Sequence, residues 1–236
     1  MTIILTGIII LFSAMVQGAT SFGFSLLALP LLGLFLNLKT IVPMLVFFSL
    51  IMNIIILMRL KMVPQIKSLL LMFVMAVLTT PIGVLLLKFT NEDTLKIFIG
   101  IVLILIAIAM KRGFKIHMKN QNKSYFIAGI LSGLLNGSVS LSGPPIVVML
   151  SNENKNRDYF RSSLTTYFLL LNIVTVFLYA GSGLITFQTF KDQLIVLPFL
   201  IIGTLVGTAL GSRINEEKFK AIVLNLLVIM GIINLL

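Results

Sequence analysis

Charged residues break this chain into uncharged, mostly apolar runs at residues 1–38, 40–58, 68–87, 97–110, 124–152, 162–190, 194–212 and 221–236. A helix needs about 20 apolar residues to cross a hydrocarbon layer about 30 Å thick. The pattern therefore predicts an all-α integral membrane protein with about eight membrane segments and no room for a soluble catalytic domain. Two runs have awkward lengths. Residues 1–38 and 124–152 would extend about 57 Å and about 44 Å as unbroken helix, too long for one crossing and short for two plus a turn. Broken, re-entrant helical hairpins with short legs fit better. Their tips are expected at residues 18–25 and 137–144, which are rich in Gly, Ser and Thr. Non-helical backbone survives at that depth only where protein or a water-filled cavity satisfies it.

The two awkward runs belong to a repeat. An offset of 119 aligns residues 17–22 with 136–141 and Asn53 with Asn172, and an offset of 124 aligns Gly83 with Gly207 and residues 91–96 with 215–220. The expected organisation is a first membrane repeat at 1–111, a basic cytoplasmic linker at 112–123 and a second membrane repeat at 124–236. Each repeat is a hairpin followed by three crossings, an odd number, so the second enters from the opposite face and the repeats are inverted. Inverted repeats place a substrate site near the midplane, where their discontinuous helices meet.

Charge sets the orientation. With hairpins that return to their own side, one face holds Arg59, Lys61 and Lys67, the five basic residues of 111–123, Lys155, Arg157 and Arg161, and Arg213, Lys218 and Lys220, leaving four of the eighteen on the other face. If each opening run crossed once instead, the basic residues would divide evenly. Cytoplasmic loops carry the excess of Lys and Arg. The expectation is a multi-pass plasma-membrane protein with both termini extracytoplasmic. The first run ends near Gln17-Gly18-Ala19 as a signal peptide would, yet no basic residue precedes Lys39 and apolar sequence continues; it reads as a retained membrane segment.

Composition narrows the chemistry. The chain has 236 residues, 58% hydrophobic and 11% charged, against about 25% charged in soluble domains. Its net charge of +11 belongs to loops near anionic lipid rather than to a nucleic-acid surface. With no cysteine, disulfides, thiolate metal sites and cysteine nucleophiles are excluded. The seven acids, Glu92, Asp93, Glu153, Asp158, Asp192, Glu216 and Glu217, fall in loops or at helix ends, and His117 lies in the basic linker. No acid pair or triad falls inside an apolar run, so the chain does not read as an enzyme, and neither a cofactor nor a metal is expected. No side chain able to carry a proton is expected in the interior.

The hairpin tips carry what chemistry there is. Ser140-Leu141-Ser142-Gly143-Pro144-Pro145 leads into the apolar run 146–150, and Pro in the first turn after Ser or Gly is a strong helix start. Thr20, Ser21 and Ser25 make a weaker start, with Gly23 permitting close backbone approach. Helix N-termini attract anions through free N–H groups and about half a positive charge. The hydroxyls of Thr20, Ser21, Ser138, Ser140 and Ser142 and the amides of Gln17 and Asn136 are expected to replace part of an anion's hydration shell, with Gly23 and Gly143 in the substrate-binding set. Asn53 and Asn172, polar residues at one repeat position within apolar helices, are expected close behind. Small residues also serve close packing; one such tip alone reads as packing, but two at equivalent positions read as a site.

Other polar and small positions read as structural. Thr79, Thr80, Thr204 and Thr208 are expected to bond back to their own helices, and the stripes Gly129-Gly133-Gly137 and Gly203-Gly207-Gly211 to bring helices close together. Arg161 is expected to snorkel to the lipid surface, and Phe22 and Phe24 read as ordinary apolar positions rather than gates.

The sequence Gly18-Ala19-Thr20-Ser21-Phe22-Gly23-Phe24 followed by Leu29-Pro30, its counterpart from Gly133 to Pro145 and the duplicated halves resemble the TauE/SafE family of bacterial membrane permeases, the sulfite exporters. The resemblance covers the full chain. This chain departs from the family's glycine clusters, with Ser21, Phe22 and Phe24 in the first tip and Leu141 and Ser142 in the second. The resemblance implies transport of a small sulfur-containing oxyanion, organosulfonate or carboxylate. The implied partners are that small anionic substrate and membrane lipids, with no nucleic acid; assembly as a homo-oligomer is compatible with the sequence. A non-transporting membrane scaffold or assembly factor is the alternative.

Overall fold

The computed structural model describes residues 2–60, 66–111, 121–151, 156–185 and 194–211. The run 221–236, residues 112–120, His117, Glu153, Asp192, Glu216 and Glu217 lie outside them. The described residues form nine helices and no strand: α1 (Thr2–Thr20), α2 (Phe24–Leu32), α3 (Leu38–Arg59), α4 (Ile66–Phe89), α5 (Glu92–Lys111), α6 (Gln121–Val139), α7 (Gly143–Ser151), α8 (Arg157–Ser182) and α9 (Leu197–Leu210). Four stretches, Thr2–Thr20, Leu38–Arg59, Leu69–Phe89 and Arg157–Ser182, are long and apolar enough to cross a membrane.

Helix ends follow local chemistry. Asn37, Asn91 and Asn156 cap α3, α5 and α8, each side-chain oxygen accepting a backbone N–H at 2.8 Å, and the acids Glu92, Asp93 and Asp158 occupy first turns, where the helix dipole favours negative charge. Gly183 closes α8 at φ 78°.

The faces are inverted relative to a water-soluble protein. On α1 the small and polar Thr6, Gly7, Ser13, Ala14, Gln17 and Gly18 face inward, while Ile3, Ile4, Leu5, Ile8 and Phe12 are exposed. On α4, Leu70, Val74, Leu78 and Ile82 recur every fourth residue on the exposed side, opposite buried Met72, Ala76 and Thr80. Without a hydrophobic drive between helices in lipid, small residues create the contacts that hold them. This surface suits a hydrocarbon environment.

The principal helix pairs are α4 with α6 and α1 with α9, and α8 packs on both α3 and α4. Glycines permit the first two crossings. A Cβ at Gly137 would stand 2.4 Å from the Thr80 carbonyl oxygen, and one at Gly207 would stand 2.1 Å from that of Met15. The expected packing role of the two glycine stripes is met at Gly129, Gly133, Gly203 and Gly211 as well, where an added Cβ would come within 2.2–3.0 Å of a facing carbonyl.

The opening runs bend within the expected tips, but only one leg of each is short. Each has a leg of 19 residues, α1 or α6, then a break, then a leg of 9, α2 or α7. At 1.5 Å per residue the long leg extends about 28 Å and the short one about 14 Å. The breaks fall where the backbone turns left-handed, at Ser21 (φ 69°) and Ser140 (φ 58°), just past the middle of each run.

Candidate functional site

Both long legs stop in the same way. The N–H of Ser21 bonds the Gln17 carbonyl at 2.7 Å and that of Ser140 bonds the Asn136 carbonyl at 3.1 Å, each from a left-handed residue just past the helix, a common helix-ending motif. The short legs then start at Phe24, behind left-handed Gly23 (φ 102°), and at Gly143, where Pro144 and Pro145 follow in the first turn. The start of the first short leg meets the second break: Ser25 Oγ and Ser140 Oγ lie 3.0 Å apart.

Between the breaks lies a small, partly open cavity of about 30 Å³. Its polar lining is Gln17, Ser25, Ser49, Asn136, Ser140, Ser142 and Asn172; Phe22, Leu26, Leu141, Pro144 and Phe168 give it apolar walls. No lining residue carries a charge. The N-terminal ends of α2 and α7 favour negative charge there. Among the described residues no group of His, Asp or Glu is placed to hold a metal ion.

The side-chain amides are held from behind. Gln17 Nε2 donates to Asn53 Oδ1 at 3.0 Å and to Ser49 Oγ at 3.3 Å. Asn136 Nδ2 donates to Thr175 Oγ1 at 2.8 Å and to Asn172 Oδ1 at 3.5 Å. Asn53 is fully buried, and its Nδ2 has no partner. Such an orphan donor is costly where it lacks an acceptor.

The family model described as sulfite exporter TauE/SafE matches residues 6–233. The chain belongs to the TauE/SafE family. Among curated proteins it is similar to the probable sulfite/organosulfonate exporter TauE of Cupriavidus necator, 21% identical over 155 residues, which are 64% of this chain and 60% of that protein. The match thus spans less than two thirds of that relative's length. No solved structure matches the chain.

Seven of the eleven residues expected at the site of this TauE/SafE member line the cavity: Gln17, Gly23, Asn136, Ser140, Ser142, Gly143 and Asn172. Four do not. Thr20 Oγ1 sits between the carbonyl oxygens of Val16 and Phe22 at 2.9 and 2.6 Å, and Ser138 Oγ donates to Leu134 O at 2.7 Å. Both hydroxyls sit near a helix end, where a backbone carbonyl competes for them. Asn53 stands behind Gln17, and Ser21 Oγ accepts from Arg161 Nε at 3.2 Å.

Sequence reasoning missed Ser49 and Phe168, which have no equivalent polar or aromatic signal in the other half. It also misjudged Arg161. Rather than snorkelling, Arg161 is 8% exposed and donates from Nη2 to the Gly18 carbonyl oxygen at 2.8 Å. Its long side chain is spent on the end of α1 instead of the surface. The threonines behave as expected: Thr79, Thr80, Thr204 and Thr208 each donate to a carbonyl one turn back at 2.6–2.9 Å.

Proposed function

We propose that this protein is a plasma-membrane transporter for a small anion, bound between two broken helical hairpins. The carrying observation is that the N-terminal ends of α2 and α7 both line one uncharged, amide- and hydroxyl-lined cavity. Donors fixed in place bind an anion without a buried lysine or arginine in contact with it. Membership of the TauE/SafE family, and the name of the Cupriavidus necator relative, support a sulfur-containing oxyanion or organosulfonate as the substrate class. The binding set is Gln17, Asn136, Ser140, Ser142, Gly23, Gly143 and Asn172, with Ser25 and Ser49 added, and Thr20, Ser21, Asn53 and Ser138 behind them.

The transport reading includes two inverted repeats, 1–111 and 124–236, of four membrane segments each. It is supported by matched breaks, by Gln17 with Asn53 answering Asn136 with Asn172, and by the pairing of α1 with α9 as α6 pairs with α4. Both termini lie outside in this reading, as the distribution of basic residues favours. Single cysteines at positions 2 and 118 of this cysteine-free chain test it: an impermeant thiol reagent should label the first from outside and not the second, and the reverse result rejects the orientation.

Arg161 does not serve as a proton carrier, since a guanidinium stays protonated in proteins. Transport then runs down the anion's own gradient, helped outward by a negative-inside potential at about 2.3 kcal/mol per charge per 100 mV. The test is efflux of labelled sulfite, thiosulfate, methanesulfonate and acetate from proteoliposomes, with potential and pH gradient clamped separately. Flux of at least one anion above empty vesicles is expected. Its absence for all four leaves a scaffold as the better reading, and uphill movement of fully ionised methanesulfonate driven by pH alone rejects the uncoupled mechanism.

A further inference from the structure

A broken helix presents two opposed fields. The carbonyls ending the long leg carry about half a negative charge, and the N–H groups opening the short leg about half a positive one. Only three residues, Ser21 to Gly23 or Ser140 to Ser142, separate the two ends. An anion drawn to the short leg is therefore also repelled by the end of the long leg, unless something offsets those carbonyls.

The two tips meet this problem differently, and both answers come from α8. At the second tip Tyr179 donates its hydroxyl to the Gly137 carbonyl at 2.9 Å and that of Asn136 at 3.2 Å, a neutral donor. At the first tip Arg161 contributes a full positive charge, bonded to Gly18 O at 2.8 Å and Ser21 Oγ at 3.2 Å. Both acceptors are neutral. The nearest charges on its own helix, Arg157 and Asp158, are opposite in sign, and Arg157 Nη2 is itself bonded to the Gly211 carbonyl at the end of α9. The repeat offset places Val42 and Leu60 where the first half would need its own Arg161 and Tyr179, so neither device is duplicated.

We infer that Arg161 is a positioning residue for the anion: by offsetting the C-terminal end of α1 and holding Ser21 in its left-handed turn, it leaves the N-terminus of α2 as the dominant field at the cavity. The inference rests on the anion-transport reading. The charge at residue 161 then sets anion affinity without touching the anion, and a neutral residue there weakens binding more than it slows the transport cycle.

The experiment is a concentration series of labelled sulfite flux in proteoliposomes made from the full chain, run on the wild type, Arg161→Lys, Arg161→Gln and Arg161→Met. Half-saturating sulfite should rise about tenfold in the two neutral variants and stay within about threefold in Arg161→Lys, as expected for loss of one nearby charge in a partly screened environment. Maximal flux should stay within about twofold of the wild type, since the lost term is ground-state attraction. Equal impairment of Arg161→Lys and Arg161→Gln, or a fall in maximal flux at unchanged half-saturation, overturns the inference while leaving the transport reading intact. Unfolding of both neutral variants with an intact Lys variant also overturns it, because the residue would then serve folding rather than affinity. A wild type with no sulfite flux, against active transport of another of the four anions, moves the same comparison to that anion; no flux of any of them removes the transport reading and the inference together.

Discussion

The two hairpins share a backbone and differ in what holds it. Each has a 19-residue leg, a left-handed serine and a 9-residue leg. Each carries a side-chain amide one turn before the break, bonded to an asparagine on the next long helix. Yet the first tip is held by a guanidinium and the second by a phenol, and the first amide leans on Ser49 where the second leans on Thr175. Their shape follows from where helical backbone must stop, which the left-handed serines and the helix-start residues decide together. For the shape alone the donor that satisfies the ending carbonyls is secondary, because a guanidinium and a phenol end the two long legs alike.

That comparison makes its largest prediction at the glycine crossings. Gly207 lies where α9 meets α1, and Gly83 where α4 meets α6; their added Cβ atoms would stand 2.1 Å from Met15 O and 2.4 Å from Leu134 O. Gly207→Leu and Gly83→Leu should each destabilise by about 3 kcal/mol or more, or prevent folding, because backbone rather than a flexible side chain must give way. Thermal unfolding in detergent checks this, and a silent variant at either site breaks the equivalence of the two hairpin supports.

Next come the cavity amides. Gln17→Leu and Asn136→Leu each strand the polar partners these amides hold, Ser49 and Asn53 or Thr175 and Asn172, and should weaken sulfite binding by about 1–3 kcal/mol, the cost of leaving such groups unsatisfied. A titration in detergent measures it directly. Loss in one variant with wild-type affinity in the other would mean that the anion rests on one half alone.

A smaller effect is expected at the neutral clamp. Tyr179→Phe leaves two buried carbonyls without their hydroxyl donor and should lower stability by about 1–3 kcal/mol. It should shift sulfite half-saturation less than Arg161→Gln does, since no charge is lost. A larger shift would reverse the assignment of the two tips.

The least costly change is at the bridge between the hairpins. Ser25→Ala and Ser140→Ala each remove one end of the 3.0 Å hydroxyl contact, and the pair should show a coupling of about 0.5–1.5 kcal/mol in a double-mutant cycle on stability. Zero coupling would mean that α2 and the second break are held together by their neighbours and not by each other.

Much of this was legible in the sequence because the chain states it twice. Glycine and serine mark both tips, with prolines following the second, and an asparagine at one repeat position points to a shared role for Asn53 and Asn172. What lacked a duplicate went unread. Ser49 is one serine in an apolar helix, Phe168 one phenylalanine among many, and Arg161 sits one turn into α8, where the common fate of a long cationic side chain is the lipid surface. Leg length was hidden for another reason: an uncharged run tells where a helix can continue, and the φ angle of one serine decides where it stops. Thr20 and Ser138 were assigned to the ligand because they lie at the tips, but a hydroxyl beside a helical carbonyl usually bonds to it first.

The placement of Arg161 and Tyr179 on the same helix bears on the ancestry of such a chain. A molecule assembled from two copies of the first half would carry Val42 and Leu60 in their places and leave the carbonyls of both tips without these donors. Two copies of the second half would bring a cation and a phenol to each tip, crowding donors around the same carbonyls. The halves are therefore no longer exchangeable, whatever their origin. Both clamps come from α8, so one helix serves the tips of both hairpins.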